Sequence, residues 1–402
     1  MKILILTQFF PPDITAAAFR LGDTANLLAQ NGHEVKVLAG IPHKGEVKTD
    51  DENGGIDTKV DVLRCQINPL NGQGIKAYLA HYLSFVKSSS ARGFRLWRTG
   101  WKPDVVFVTS PPLFVGIGGR FLSFLFRRPM VFEVRDIWPD TAVAAGQLSA
   151  DGKGYKVGRL LERYLYRKAK HIVCVAEPMK GYLQSQCKKP VDVVYNGISK
   201  SDVPAFQPSP QQSDQTRTLL YAGNFGHLQD LELLVDAFIE AVRSQKLERF
   251  QLRLIGDGVR RSQLEQLVKD REAASLVTIE SAMPRDQAYA EMQAATVLYL
   301  SLRNSPVLEH TIPSKVFDYL AMGRPVIAAL QGEGRSILQS TGSNLCLNPC
   351  DRDGLIETLG QLNQQLDELQ NNAEKNRDLV LEKFTREIAV KNLESVFEKA
   401  QT

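Results

Sequence analysis

The feature of this sequence that most constrains its fold is a repeated alternation of short apolar strands with helices. Strands are predicted at residues 2–7 and 34–39, and a helix is predicted at 16–30 between them. A strand, a helix and a second strand in this order favour a parallel sheet of the doubly wound α/β class. The alternation is interrupted by a segment rich in Ser, Pro, Gln and Asp that ends at residue 217, and it then starts again. The pattern therefore predicts two Rossmann-like α/β domains in succession.

The remaining predicted elements continue the alternation in both halves of the chain. Strands are predicted at 59–64, 104–109, 130–134, 171–175, 191–194, 218–222, 250–255, 276–279 and 296–300, and helices at 231–243, 259–269 and 286–294. The polar segment 44–58 is predicted to leave the first sheet as a loop. Because 402 residues exceed one ordinary hydrophobic core, we predict a first domain at 1–200 and a second at 201–385. An amphipathic helix at 386–402 is predicted to pack back on one domain, the N-terminal one in our prediction.

Residues 311–330 read as a loop, a short helix and a buried strand in immediate succession. Pro313 suits the first turn of the helix, and Gly323 suits its end. The backbone N–H groups at a helix start favour a phosphate or diphosphate, and Lys315 adds a full positive charge there. Asp318 lies one turn further on and can accept hydrogen bonds from a neutral diol such as a ribose. The alternative is an ordinary capped helix with a Lys–Asp surface pair.

The two halves of the chain differ in charge. Residues 1–200 carry 28 Lys and Arg against 17 Asp and Glu (+11), whereas residues 201–402 carry 21 against 28 (−7), which gives the net charge of +4. This asymmetry favours an anionic surface as a partner of the first half, although two ordinary solvated surfaces would give the same counts. We predict no nucleic-acid partner.

Several familiar motifs are missing or incomplete. Arg261 replaces the third glycine of a dinucleotide-binding loop at 256–261, and there is no P-loop or H-E-x-x-H motif. Asp351 and Asp353 match the D-x-D of metal-dependent sugar transferases, but a helix cap explains them better. The five scattered cysteines suit a reducing cytosol. We therefore expect a cytoplasmic protein with no metal or cofactor.

Six segments together carry a resemblance to a known family. They are residues 7–13 (TQFFPPD), 109–112 (TSPP), 135–140 (RDIWPD), 221–226 (YAGNFG), 255–258 (IGDG) and 313–326 (PSKVFDYLAMGRPV). The chain resembles the family-4 retaining glycosyltransferases of the GT-B fold, in the bacterial branch that builds surface polysaccharides and includes the N-acetylfucosamine transferases of O-antigen synthesis. The resemblance implies two Rossmann-like domains that face an interdomain cleft, the first binding the acceptor and the second the nucleotide sugar.

The resemblance also implies roles for particular residues. The residues implied to bind the donor are Gly223, Asn224, Gly226, Gly256, Asp257, Thr311, Ile312, Ser314, Lys315 and Asp318. Asp318 would hold the ribose. Many relatives have an Arg and a Lys at the positions of Asn224 and Gln229, so in this chain Lys315 would have to neutralise more of the phosphate charge. Either Glu309 or His310 would meet the donor sugar.

A pair at the end of the strand 130–134 completes the implied catalytic residues. Arg135 and Asp136 stand where many relatives have a histidine that contacts the reacting sugar. Arg135 would stabilise the leaving diphosphate, and Asp136 would position or deprotonate the acceptor. The alternative is a simple ion pair at the end of a strand.

The activity implied is metal-independent transfer, with retention, from a nucleotide-diphosphate sugar. A UDP-sugar is favoured as donor, and the acceptor would be a saccharide or a polyprenyl-linked saccharide. The other classes considered are a GT-B sugar-nucleotide epimerase and a non-catalytic Rossmann-type binding protein. Incubation with sugar nucleotides separates them, since they give transfer, isomerisation or neither.

Two segments of the first half predict docking on an anionic membrane. Residues 75–101 interleave Phe94, Trp97 and Trp101 with Arg92, Arg95 and Arg98, after Leu79, Tyr82, Leu83 and Val86 at helical spacing. Residues 121–128 (FLSFLFRR) form a second candidate patch. Aromatic rings beside arginines suit the lipid headgroup region, which would make the protein peripheral on the cytoplasmic face of the inner membrane. The alternative is that both helices only cover the sheet.

Overall fold

The computed structural model describes residues 1–13, 15–43, 55–70, 75–207 and 216–402. The chain forms two compact units, one of Met1–Ser199 with Arg386–Thr402 and one of Lys200–Thr385. Most of the predicted loop at 44–58 and the centre of the Ser- and Pro-rich segment, residues 208–215, lie outside the described residues.

The first unit is built on a parallel sheet. Its elements are β1 (Lys2–Thr7), α1 (Ala16–Gln30), β2 (Glu34–Gly40), β3 (Val60–Cys65), α2 (Ile75–Arg98), β4 (Val105–Ser110), α3 (Val115–Phe126), β5 (Met130–Val134), α4 (Asp140–Ala144), α5 (Lys153–Lys168), β6 (His171–Cys174), α6 (Glu177–Gln186) and β7 (Val191–Val193). In the described residues the strand order is β3-β2-β1-β4-β5-β6-β7, with all neighbours parallel. The order reverses between β1 and β4, so a crevice for ligands is expected beside their carboxyl ends.

The second unit repeats this architecture. Its elements are β8 (Arg217–Ala222), α7 (Leu231–Arg243), β9 (Phe250–Ile255), α8 (Arg261–Asp270), β10 (Val277–Glu280), α9 (Arg285–Ala294), β11 (Val297–Ser301), α10 (Ser314–Ala321), β12 (Val326–Ala329), α11 (Glu333–Gln339), β13 (Leu345–Leu347), α12 (Arg352–Asn371) and α13 (Glu374–Lys383). The strand order in the described residues is β10-β9-β8-β11-β12-β13. Its reversal lies between β8 and β11.

The last helix, α14 (Arg386–Gln401), belongs to the first unit. The N–H of Arg386 donates to the carbonyl of Ile198 at 2.8 Å, and the ring of Phe397 packs edge-on against Phe107 of β4 at 5.4 Å. The apolar face read from the sequence is therefore buried against the first sheet.

The strands form where apolar residues are continuous, because helices cover both faces of each sheet. All six residues of β4 are buried, and five of the six in β1 are. The α/β prediction is thus confirmed, with strand ends that differ by one residue in most cases. The sequence did not predict β13, since a strand of three residues shows no periodicity.

Two details of the helix ends sharpen the sequence predictions. The helix predicted to have Pro313 in its first turn begins one residue later, at Ser314, and Pro313 precedes it. Asp351 caps α12, because its carboxylate accepts a hydrogen bond from the N–H of Gly354 at 2.8 Å. Among the helices that the structure describes, none is both long and apolar enough to cross a lipid bilayer.

Candidate functional site

The second unit places Lys315 directly over the backbone at Gly223. Gly223 follows β8 with φ of +146°, a conformation that side chains rarely adopt. A Cβ atom there would lie 2.2 Å from Cε and 2.4 Å from Nζ of Lys315. The glycine therefore leaves the space in which the lysine side chain crosses the loop, and the two residues meet although 92 positions separate them.

The loops after β8 and β9 are in direct backbone contact. A Cβ at Gly256, whose φ is +152°, would lie 1.9 Å from the carbonyl oxygen of Gly223. The N–H of Phe225 donates to the carbonyl of Asp257 at 2.8 Å. The Asp257 carboxylate itself accepts from the N–H of Gly258 at 2.7 Å, so this carboxylate stabilises the loop. Both loops start at the carboxyl ends of adjacent strands, where doubly wound sheets bind ligands.

Lys315 lies in the first turn of α10 with its ammonium 5.3 Å from the centre of the Tyr221 ring. Burial lowers the pKa of Lys315, and the nearby Asp318 carboxylate opposes this effect only in part. An ammonium in such a desolvated place gains more from an incoming anion than one in water would. The amide groups of the first turn of α10 add positive potential at the same end of the helix. A diphosphate is the ligand that this arrangement favours.

Asp318 is oriented by a tyrosine that the sequence did not reveal. The hydroxyl of Tyr289, on α9, donates to Oδ1 of Asp318 at 3.1 Å, and Nε of Arg285 donates to that hydroxyl at 3.0 Å. Arg285 also forms an ion pair with Asp202 at 2.7 Å. Burial raises the pKa of Tyr289, so the phenol stays a neutral donor. The Tyr289 hydroxyl therefore restrains the orientation of the Asp318 carboxylate.

The residues just before α10 differ in whether their side chains are engaged within the protein or exposed to solvent. The hydroxyl of Thr311 donates to the carbonyl of Leu308 at 3.1 Å, and Ile312 is buried. Glu309 and His310 belong to a single 3₁₀ turn, in which Glu309 is exposed and His310 half-buried. Glu309 lines a small pocket with Arg303, Asn304, Gln331 and their neighbours. Ser314 is the first residue of α10.

The amides of Asn224 and Gln229 meet beside Gly226. A Cβ at Gly226 would lie 2.5 Å from Nδ2 of Asn224 and 2.6 Å from Oε1 of Gln229. The oxygen of Gln229 is buried and has no hydrogen-bond partner in the described part of the chain. Neutral amides thus stand where the family resemblance implies Arg and Lys in many relatives.

In the first unit, a buried ion pair lies beside Arg135 and Asp136. Both Oε atoms of Glu133 accept hydrogen bonds from the guanidinium of Arg20, at 2.6 and 2.5 Å. Arg135 instead donates to the carbonyl of Ser110 at 3.3 Å, and its Nε lies 3.9 Å from Glu133. No sequence motif marks Glu133 or Arg20; the local signals are one charge in the apolar strand β5 and one arginine on α1.

Burial perturbs the pKa values of the Arg135–Asp136 pair in opposite directions. It lowers the pKa of Arg135 to about 10, with a contribution from repulsion by Arg20, and it raises the pKa of Asp136 against the attraction of Arg135. A carboxylate with a raised pKa accepts a proton more readily, which suits the role expected of Asp136. In the described residues, no three His, Cys, Asp or Glu side chains lie close enough together to hold a metal ion.

Comparison with known proteins identifies the family. The family model "Glycosyl transferase 4-like domain" matches residues 15–197, and "Glycosyl transferases group 1" matches residues 216–365. The chain belongs to the family-4 glycosyltransferases of the GT-B fold. The predicted family, fold class and enzyme class are thus confirmed.

Individual relatives of this glycosyltransferase are distant in sequence. It is 23% identical to a putative colanic acid biosynthesis glycosyl transferase, WcaI, of Escherichia coli, over 90% of this chain and 92% of that protein. It is also 23% identical to a probable glycosyltransferase, WbjE, of Pseudomonas aeruginosa, over 74% of each.

Solved structures resemble this glycosyltransferase in fold. Sucrose-phosphate synthase from Thermosynechococcus elongatus superposes with a TM-score of 0.77 at 15% identity, covering 99% of this chain and 98% of that one. Anabaena HepE in complex with UDP-glucose gives 0.73 at 17% identity, covering 99% and 100%.

Proposed function

We propose that this glycosyltransferase transfers a sugar, with retention, from a UDP-sugar to a saccharide or lipid-linked saccharide in bacterial polysaccharide synthesis. The observation that supports the donor site most strongly is the ammonium of Lys315, which lies over the Gly223 backbone at the start of α10. The site combines a desolvated cation, the backbone amide groups of a helix start and an oriented carboxylate, Asp318. These groups match the diphosphate and the ribose of a sugar nucleotide.

In this proposal, charge on the leaving group is neutralised by protein groups. When the bond between the anomeric carbon and the diphosphate oxygen breaks, negative charge develops on that oxygen. Lys315 and the N-terminal amides of α10 stabilise this charge where other transferases use a divalent cation. Retention then follows if the acceptor hydroxyl attacks from the face that the diphosphate leaves, while a diphosphate oxygen takes the hydroxyl proton.

Relatives support the choice of donor and pathway. HepE has been solved with UDP-glucose, and a pneumococcal O-GlcNAc transferase, GtfA, with UDP and GlcNAc. WcaI is described as a colanic acid enzyme, and WaaG, a structure of similar fold, as a lipopolysaccharide enzyme. These descriptions favour uridine as the base and a bacterial glycan as the product.

A donor screen tests this proposal. UDP-, GDP- and dTDP-sugars are compared for slow hydrolysis and for thermal stabilisation of the protein, since a bound donor stabilises the folded state. We expect UDP-sugars to stabilise it, and Lys315→Ala and Asp318→Ala each to weaken their binding by one to two decades, about 1.5 to 3 kcal/mol. Lys269→Ala and Asp270→Ala, at the exposed end of α8, are the matched controls.

The result also separates the reaction classes. Transfer of the sugar to an added glycan, or its slow hydrolysis, supports the proposal, whereas conversion to an isomeric sugar nucleotide would indicate an epimerase. Unchanged donor affinity in both the Lys315 and the Asp318 variants would refute this assignment of the donor site.

We also propose that the first unit docks on an anionic membrane. Of the large apolar side chains exposed in the described part of the chain, ten lie on three helices of this unit. They are Tyr78, Leu79, Leu83, Phe94 and Trp97 on α2, Phe121 and Phe124 on α3, and Val157, Leu160 and Tyr164 on α5. Phe121, Phe124 and Tyr164 line one surface pocket together with Arg120, and apolar side chains grouped in this way mark interaction surfaces.

The α3 and α5 side chains form the most exposed part of this surface. Phe124 is 71% exposed and Leu160 67% exposed. Arg120 lies 5.8 Å from the Phe124 ring, and Arg163 and Arg167 are exposed on α5. Apolar side chains that can enter the headgroup region, next to cations that attract anionic lipid, favour a membrane over a neutral partner.

The α2 helix contributes less than its sequence predicts. Phe94 and Trp97 stack on each other at 5.6 Å and are exposed. The ring of Tyr82, in contrast, stacks on Phe114, and Trp101 packs against Phe126 while its indole N–H donates to Glu34. Tyr82 on α2 and Trp101, which follows α2, are therefore partly covered by these contacts.

Vesicle flotation tests this part of the proposal. The protein should float with phosphatidylglycerol vesicles at low salt, and flotation should weaken between about 0.1 and 0.5 M salt as the Debye length shortens. Replacing Arg92, Arg95 and Arg98 with Glu should abolish flotation. Replacing Phe124 and Leu160 with Ser should reduce it at every salt concentration.

A charge-matched control distinguishes local docking from net charge. Changing Lys170, Lys188 and Lys189 to Glu alters the total charge equally at other sites of the first unit and should leave flotation unchanged. If the wild-type protein ignores anionic vesicles at low salt, the membrane proposal fails and a soluble acceptor becomes the better hypothesis.

A further inference from the structure

The second unit begins with a short segment, residues 200–206, that packs on helices of the same unit. The carbonyl of Pro204 accepts a hydrogen bond from Nε of Arg377, on α13, at 2.8 Å. The carbonyl of Ala205 accepts one from the side-chain amide of Gln293, on α9, at 3.0 Å. We call residues 200–206 the entry segment, because the chain enters the second unit through it.

One face of α9 contacts both the entry segment and the candidate donor site. It carries Arg285, Tyr289 and Gln293, which are half-buried and four residues apart, so they lie above one another on the helix. The outer two contact the entry segment, since Arg285 pairs with Asp202 at 2.7 Å and Gln293 bonds to the backbone. Tyr289, between them, instead contacts Asp318 on α10. A single helix face therefore joins the entry segment to the carboxylate that we propose binds the ribose.

The contacts form one continuous chain of polar groups. The guanidinium of Arg285 is engaged twice, because its Nη2 lies 2.7 Å from Oδ2 of Asp202 and its Nε donates to the Tyr289 hydroxyl at 3.0 Å. Since a guanidinium is planar and rigid, the Asp202 carboxylate fixes the plane from which Nε donates. The hydroxyl accepts that bond and donates its own proton to Oδ1 of Asp318 at 3.1 Å. The orientation of each group thus depends on the group before it.

Tyr289 is suited to be the middle member of this chain. Burial and the Asp318 charge raise the pKa of Tyr289 against the opposing effect of Arg285, so the hydroxyl keeps its proton and remains a donor. The Arg285 guanidinium also lies 5.2 Å from the centre of the Tyr289 ring, so one cation restrains both the ring and its hydroxyl. A carboxylate has about four acceptor positions, so the bond from Tyr289 is compatible with a ribose diol on the same carboxylate.

We propose that Asp202 and Arg285 are positioning residues for the donor ribose, acting through the Tyr289 hydroxyl on the Asp318 carboxylate. In this role neither residue contacts the nucleotide. Ribose recognition then depends on how the entry segment is held, and by thermodynamic linkage a bound ribose stabilises the entry segment to the same extent. The inference rests on the proposed function in one respect, namely that Asp318 binds the ribose.

A second ion pair of the same unit provides a matched control. Asp236 on α7 lies 2.7 Å from Nη2 of Arg271, which follows α8, and its side chain is 28% exposed. The side chain of Asp202 is 30% exposed at the same distance from its arginine. Ion pairs with this exposure contribute little to stability. Asp202→Asn and Asp236→Asn should therefore have similar, small effects on thermal melting, and only the first should affect ribose recognition.

Calorimetric titration of the full chain with UDP and with 2′-deoxy-UDP measures ribose recognition. Asp202→Asn should weaken UDP binding about 2- to 5-fold, part of the effect of one lost hydrogen bond, and change 2′-deoxy-UDP binding less. Asp202→Glu, which keeps the charge, and Asp236→Asn should both retain the preference for UDP. In a Tyr289→Phe background, Asp202→Asn should cause no further loss of preference, because its connection to Asp318 is already broken.

Hydrogen exchange tests the reciprocal effect on the entry segment. At saturation with nucleotide, the backbone amides of residues 200–206 should exchange more slowly with UDP bound than with 2′-deoxy-UDP bound. The difference should disappear in Tyr289→Phe. A merely structural ion pair would leave the exchange of the entry segment equal with the two nucleotides.

The outcomes separate this inference from the proposed function. If the wild type does not bind UDP, or binds UDP and 2′-deoxy-UDP equally well, the proposed ribose site is wrong and the inference fails with it. If the wild type prefers UDP and Asp202→Asn, folded by circular dichroism, keeps the full preference, only the inference is overturned. It is also overturned if Asp236→Asn loses as much preference as Asp202→Asn, if the losses in the double variant are additive, or if the entry segment exchanges equally with both nucleotides bound.

Discussion

Replacing Gly223 with alanine should reduce donor affinity far more than it reduces stability. The added Cβ would lie 2.2 Å from Cε and 2.4 Å from Nζ of Lys315. These atoms form the free end of a flexible side chain, so the clash is relieved when the lysine swings away. The ammonium then leaves the position in which it would meet the diphosphate.

The expected magnitudes follow from these contacts. Alanine at a φ of +146° costs about 1 to 3 kcal/mol in folding free energy. Loss of one charged hydrogen bond costs about 1.5 to 3 kcal/mol, which corresponds to about 10- to 150-fold in the Kd for UDP. Binding of uridine, which lacks the diphosphate, should change little.

A glycine in open surroundings provides the matched control. Gly342 also has a positive φ, +66°, but a Cβ there would meet no atom within 4 Å. Gly342→Ala should therefore lose about 1 to 2 kcal/mol of stability from the backbone alone and keep its affinity for UDP. Calorimetric titration with UDP and uridine, together with thermal melting, measures both quantities.

A double variant decides whether the effect acts through Lys315. In a Lys315→Ala background there is no side chain to displace, so Gly223→Ala should cause no further loss of UDP affinity. Additive losses in the double variant, or wild-type affinity in Gly223→Ala itself, would refute the reasoning.

Three further predictions concern the same site. Tyr289→Phe should weaken UDP binding about 3- to 10-fold, because Asp318 loses the hydrogen bond that orients it. The variant should also show a smaller preference for UDP over 2′-deoxy-UDP. An unchanged preference in a competition assay would contradict this prediction. Since burial lowers the pKa of Lys315, its charge is lost as pH rises through that lowered pKa, so UDP affinity should fall with rising pH before an ordinary lysine titrates. Lys315→Arg should remove this fall in a pH series. Activity should persist in EDTA. If EDTA instead abolishes activity, manganese restores it, and the Asp353→Ala variant is inactive, then the D-x-D segment binds a metal.

The sequence predicts the architecture because the information is local. A continuous apolar run indicates a strand covered on both faces, and a period of 3.6 indicates a helix. These signals identified both sheets, and the capping pattern at Asp351 identified the start of α12. Five of the six segments that carry the family resemblance lie at or just after the carboxyl ends of strands, and the sixth, 313–326, contains α10 and leads into β12.

Only part of the candidate site can be predicted from residues that are neighbours in the sequence. Lys315 and the start of α10 can be read from one segment, since a helix start and a charge in its first turn are neighbours in sequence. The orientation of Asp318 cannot be predicted in this way, because Tyr289 lies 29 positions away on another helix and no sequence motif marks Tyr289. The buried pair of Arg20 and Glu133 is separated by 113 positions.

The sequence by itself determined which segments are strands and helices, that the two sheets are parallel, and where a helix start could meet a phosphate. Only the tertiary structure decided that Gly223 lies under Lys315, and that the guanidinium of Arg20 meets the carboxylate of Glu133. The physical reason is that secondary structure follows from contacts between residues two to four apart. The meeting of distant side chains instead depends on the strand order, which brings the carboxyl ends of non-consecutive strands to the same edge of the sheet.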